Sequence, residues 1–135
     1  MPNHWLLKTE PSTYSFADLQ REGRARWDGV SNPVALRHLR TMHKGDQAFV
    51  YHTGKEKAIV GIARIVSDPY ADPKHADPKL VVVDLEAVGS LSTPVTLAAI
   101  KADKQFAGFD LVRIPRLSVV PVSSAQWKAL LALGG

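Results

Sequence analysis

Trp27 and Asn32 stand at the two ends of a short turn sequence, Trp27-Asp28-Gly29-Val30-Ser31-Asn32. An indole beside an amide is a pair of groups that can grip a flat heterocycle. The indole stacks on the ring face, and the amide offers one donor and one acceptor to a base edge. Stacking of this kind contributes about 1–3 kcal/mol per base. If this is the segment's role, Trp27→Ala should remove binding and spare the fold. The same residues also read as a core indole and a helix cap, and the segment alone does not choose between the two.

Three further groups of residues carry usable chemistry. Lys8-Thr9-Glu10 closes an extended segment, where Lys8 and Glu10 share one face and Thr9 lies on the other. A lysine there can meet a phosphate or a base carbonyl, or it can form an exposed ion pair of little energetic worth. Tyr51 and His52 end a strand-like run ahead of Thr53-Gly54. Tyr51 can complete an aromatic cage, and His52 can donate a hydrogen bond. Arg37, Arg40 and Lys44, with Arg24 and Arg26 nearby in sequence, form a basic stripe suited to phosphate contacts or to a solvated helix face.

Other chemistries lack their residues. The chain has no cysteine, so disulfides, thiolate metal sites and cysteine nucleophiles are excluded. It contains no P-loop, GxGxxG, HExxH or GxSxG motif. The five histidines (His4, His38, His43, His52 and His75) show no zinc spacing. Asp68, Asp72 and Asp77 each precede a proline and read as turn formers. No metal, cofactor or catalytic residue is therefore expected.

The elements that must hold these groups follow from local signals. His4–Thr9 reads as a strand stopped by Pro11. Ser15 with Asp18 is a variant capping box for a helix over Phe16–Glu22, closed by Gly23. Asn32 and Pro33 start a second helix, with Ala35, Leu39 and Met42 on its apolar face and Gly45 as its end. Strands are expected at Gln47–His52, Ala58–Val66, Leu80–Val88, Leu111–Ile114 and Leu117–Val122. Gly61, inside the Val/Ile-rich run, marks a bulge or a close backbone approach. Thr96 caps a short helix through Ala102, and Ser123 with Gln126 starts a last helix whose core face is Trp127, Leu130 and Leu131. Short strands without regular βαβ alternation predict an α+β fold, a mixed sheet curled into a barrel.

With 135 residues, 45% of them hydrophobic and 22% charged, the chain suits a single domain over 1–135. No apolar run approaches the length of a bilayer span, and no basic-then-apolar leader opens the sequence, so a cytoplasmic protein is expected. The formal net charge of +4, with a pI near 9.5, favours polyanionic partners.

Several motifs then occur together in one order: His4-Trp5-Leu6-Leu7-Lys8-Thr9-Glu10-Pro11, Trp27-Asp28-Gly29-Val30-Ser31-Asn32, Gly45-Asp46, Tyr51-His52-Thr53, Val60-Gly61-Ile62-Ala63, Asp77-Pro78-Lys79 and Arg116-Leu117-Ser118-Val119-Val120-Pro121. In this the chain resembles the EVE domain family over nearly its whole length. The resemblance implies a PUA-like mixed β-barrel of about five strands with short surrounding helices, similar in architecture to the YTH domain. It implies a module that captures a modified base, a modified cytosine or similar, of DNA or RNA in an aromatic pocket; a monomer is expected, though no residue pattern fixes the oligomeric state. That pocket would draw on Lys8, Thr9, Trp27, Asn32, Tyr51 and His52, with Arg116 at its rim. Where the family usually has Arg, Tyr and Trp, this chain has Ser31, Pro33 and Leu80. A small hydrolase or transferase using Lys8, Thr9 and Glu10, and a protein-interaction adaptor, are the alternatives.

Overall fold

A computed structural model describes residues 3–74 and 76–134. His75 lies outside the described residues. In chain order the elements are β1 (His4–Thr9), α1 (Phe16–Glu22), β2 (Arg24–Trp27), α2 (Pro33–Arg40), β3 (Gln47–His52), β4 (Ala58–Ile65), β5 (Tyr70–Ala71), β6 (Val81–Thr96), α3 (Leu97–Ala102), a 3-10 turn (Lys104–Phe106), α4 (Asp110–Arg113), β7 (Val119–Val122) and α5 (Ser124–Leu133).

The fold is α+β, built on a mixed sheet of seven strands in the order β2-β6-β4-β3-β1-β7, with β5 pairing on β6. Among the described residues β1 and β3 pair parallel and every other strand pair is antiparallel. This corrects the barrel of about five strands. Register shifts at Val50/Tyr51, Ile59/Gly61 and Ile62/Ala63 bend the sheet. The bending does not bring the end strands β2 and β7 into a pair, so among the described residues the sheet stays open.

The caps form as their chemistry dictates. Ser15 accepts from the Asp18 N–H and Asp18 returns a bond to the Ser15 N–H. Asn32 accepts from Val34 and Ala35, and Ser123 exchanges bonds with Gln126. Two expectations fail for reasons visible in the backbone. The second helix ends at Arg40 rather than running to Gly45. Met42 N–H still reaches Leu39, but the next N–H groups turn elsewhere, His43 to the Asp46 carboxylate, Lys44 to Asp68 and Gly45 to the Ile65 carbonyl. Of residues 111–114, expected as a strand, the first three belong to α4, where Arg113 bonds to Asp110 at 2.9 and 3.2 Å across one turn, and Ile114 is its C-cap. β2 has no counterpart among the elements expected from the sequence, although Arg24 and Arg26 alternate with Ala25 and Trp27.

The core packs around Trp127, whose ring stacks on Phe49 at 4.0 Å and on His4 at 4.5 Å. Trp5 donates through its indole N–H to the buried Asp46 carboxylate at 3.0 Å and lies 6.0 Å from the His38 ring. Burial pushes the imidazolium of both His4 and His38 below the ordinary value of 6.5. The unfolded chain then binds more protons just below 6.5, so stability is full above that value and falls as pH drops through the folded values. The urea midpoint should decline between about pH 7 and about pH 5, and a His4→Gln/His38→Gln variant should decline less. Equal slopes for the two proteins would refute this assignment.

Candidate functional site

The end of β1 carries Lys8 and Thr9 past the middle of the sheet, where Lys8 N–H bonds to the Ser118 carbonyl at 3.0 Å. The chain then folds back on itself. Thr13 and Tyr14 N–H both donate to the Glu10 carbonyl at 2.9 Å, and the Thr9 hydroxyl donates to the Tyr14 carbonyl at 2.6 Å. This turn sets the Tyr14 ring edge-on to Trp27, with centroids 6.3 Å apart and planes at 78°. Trp27 itself is placed by β2, where it pairs with Val83 of β6. After it the chain turns at Gly29, whose φ of 80° suits glycine.

These segments enclose an open cleft of about 930 Å³, lined by β1, the 13–14 turn, the end of α1, all of β2, the 28–30 turn, Lys74 and Ser118. The lining itself holds four cations, Lys8, Arg24, Arg26 and Lys74, and two acids, Glu22 and Asp28, while Arg24 also pairs with Glu86 outside it. Lys8 donates to the Pro115 carbonyl at 2.8 Å and sits 5.8 Å from the Tyr51 ring centre. Burial pushes its ammonium below the usual lysine value. Tyr14 donates to Glu22 at 2.5 Å; burial first, and then that carboxylate, raise its phenol well above the usual value, so it stays a donor. A smaller, mostly apolar pocket of about 190 Å³ shares Gly29 and Val30 with the cleft and reaches Ser31 and Leu80. Those are two of the positions where larger side chains are expected from the family pattern.

The structure brings Lys8, Thr9 and Trp27 together on the cleft. Asn32, Tyr51, His52 and Arg116 do not line it. The Asn32 side-chain oxygen accepts from Val34 and Ala35 of the helix it caps. Tyr51 is buried beneath Lys8. His52 accepts the Phe16 N–H at Nε2, 3.0 Å away, and holds Glu56 at Nδ1, so it anchors the start of α1. Arg116 is exposed away from the cleft lining. Arg37 and Arg40 are exposed on α2, while Lys44 lies in the turn beyond it, and none of the three lines the cleft. Glu10 bonds to Ser12 and Thr53, so Lys8, Thr9 and Glu10 do not converge. Sequence reasoning missed Tyr14, Glu22, Lys74 and Ser118, and kept Arg24 and Arg26 only as neighbours of a helix stripe. The alternation across β2 was the one local signal for those arginines. Among the described residues no group of side chains could hold a metal, and no helix is long and apolar enough to cross a membrane.

A family model described as the EVE domain matches residues 3–133. Thymocyte nuclear protein 1 of Mus musculus is 32% identical over 167 residues, covering 98% of this chain and 74% of that protein. A protein of Rhodopseudomonas palustris solved by NMR superposes with a TM-score of 0.94 at 44% identity, covering 98% of this chain and 93% of its own. Human THYN1, solved in complex with DNA containing 5-methylcytosine, superposes with a TM-score of 0.85 at 30% identity, covering 98% and 97%.

Proposed function

This chain belongs to the EVE domain family, and from that premise we propose that it is a nucleic-acid-binding module whose cleft takes up one modified base of the 5-methylcytosine kind. The observation that carries the reading is the meeting of Trp27 and Tyr14 with Lys8, Arg24 and Arg26 in one cleft large enough for a nucleotide. The aromatic pair supplies apolar contact to the base. Lys8 spends one of its three donors on Pro115 and keeps two for a base carbonyl or a phosphate. The arginines compensate backbone charge. The likeness to human THYN1, which was solved with 5-methylcytosine DNA, supports the choice of base. The relationship to this family also supports treating the mixed sheet as PUA-like.

Fluorescence anisotropy with short DNA and RNA strands, single and double, tests it. Each would carry one cytosine, 5-methylcytosine, 5-hydroxymethylcytosine or N6-methyladenine. A modified cytosine should bind about tenfold tighter than cytosine, the scale of one well-placed methyl contact. Uniform weak binding that vanishes as salt rises would mean charge attraction alone, and the base-capture reading would be abandoned.

A further inference from the structure

Arg26 differs from most arginines of this protein in how it is held. Arg24 and Arg64 both pair with Glu86, Arg21 with Asp18, and Arg113 with Asp110, each spending a terminal nitrogen on a carboxylate, Arg113 its Nε as well. Arg26 is instead tied by Nε, which donates to the Tyr70 hydroxyl at 3.1 Å. Because an arginine can only donate, the tyrosine oxygen accepts and its own proton goes on to Asp84 at 2.6 Å. Asp84 is fixed in turn: it stands opposite Arg26 in the β2–β6 register, and its N–H bonds to the Ser67 hydroxyl at 2.9 Å. The Arg26 guanidinium carbon also lies 5.9 Å from the Tyr70 ring centre. Among the described residues neither terminal nitrogen of Arg26 has a hydrogen-bond partner. The residue lines the cleft.

A guanidinium clamped at Nε with both terminal nitrogens unspent is preorganised for a two-point bond to an oxyanion. Among the described residues Arg37 and Arg116 have no such clamp, and they do not line the cleft. We propose that Arg26 is the phosphodiester-binding group of the cleft, and that Tyr70 and Asp84 are positioning residues that aim its guanidinium. This rests on the reading of the cleft as a nucleic-acid site, which it deepens. It moves the phosphate contacts from Arg37, Arg40 and Lys44 to the wall beside Trp27.

The test uses the full chain and a fluorescein-labelled single-stranded DNA bearing one 5-methylcytosine, titrated over a salt series. Arg26→Ala should lower the slope of log affinity against log salt by about 0.7, the loss of one phosphate contact. Arg26→Lys should keep the slope but bind about three- to tenfold more weakly, because a lysine makes a point contact without the clamp. Tyr70→Phe should weaken binding by a similar factor with the slope unchanged, since the charge remains and only its orientation is lost. Arg64→Ala is the control and should match wild type. A thermal melt of each variant separates misfolding from loss of contact. If wild type binds and Arg26→Ala keeps its slope and affinity, the assignment is overturned. If Arg26→Ala weakens binding while Tyr70→Phe behaves as wild type, the positioning role is overturned. If wild type binds no strand at all, the reading of the cleft fails, and this assignment with it.

Discussion

Trp27→Ala is expected to destabilise the protein by about 3–5 kcal/mol, the range for truncating a buried indole, and to cost the remaining folded protein most of its base binding. Trp27 is only 8% exposed. It pairs through β2 with Val83, deep in the β6 register, and its ring is edge-on to Tyr14. This corrects the expectation that its removal would spare the fold, because the residue is core and cleft wall together. The loss of base contact adds about 1–3 kcal/mol, roughly a five- to 150-fold loss of affinity. The two effects separate cleanly if urea denaturation gives the stability and anisotropy is then read where the variant remains folded. Trp27→Phe keeps most of the packing volume, so its stability should fall less while its affinity still drops. If folded Trp27→Ala binds a 5-methylcytosine strand as wild type does, Trp27 is a core residue and nothing more.

Gly61→Ala should destabilise by about 3 kcal/mol, at the upper end of what overpacking causes. A Cβ at Gly61 would lie 2.4, 2.4 and 2.6 Å from three ring carbons of Phe16. Phe16 is buried, opens α1 and has its N–H on His52. It therefore cannot swing aside without moving the helix. That helix follows Tyr14 and ends at Glu22, so the displacement should reach the cleft and weaken base binding as well. Phe16→Leu in the same chain should recover part of the loss, a coupling of about 0.5–3 kcal/mol in a double-mutant cycle. Gly108→Ala, where a Cβ meets nothing within 4 Å, should change stability by less than about 0.5 kcal/mol. Strictly additive effects of Gly61→Ala and Phe16→Leu would show that the ring contact is not the cause.

Much of the fold was legible because it is governed by nearby residues. The caps at Ser15, Asn32, Thr96 and Ser123 are hydrogen bonds closed within three residues, and all four start helices. β1, β3 and β4 are runs whose apolar character survives in any sheet. The close approach at Gly61 was readable as a glycine in a Val/Ile-rich strand, although Phe16 as the neighbour was not. Errors fell where local and distant preferences conflict. Val112 and Ile114 favour strand by type, but 110–113 is helical, with Arg113 and Asp110 paired across one turn and Ile114 as the C-cap. Met42 continues an apolar face, yet the backbone beyond it is drawn away by Asp46, Asp68 and Ile65.

The site divides along the same line. By itself the sequence determined a basic α+β protein with the EVE pattern, and it singled out Lys8, Thr9 and Trp27, which the fold places on one cleft. It could not decide between the two uses of Asn32 and His52, since an amide that can read a base can equally cap a helix and a histidine that can donate can equally accept. Only the tertiary structure showed that the Asn32 side-chain oxygen and His52 Nε2 both accept N–H groups at helix starts. Only it, too, placed Tyr14, Glu22, Lys74 and Ser118 around Trp27 and tied Arg26 to Tyr70 and Asp84. Such groupings depend on sheet register and on turns that return the chain across many residues. No local spacing records them, because hydrogen bonds and contacts between distant segments are set by how the whole sheet packs.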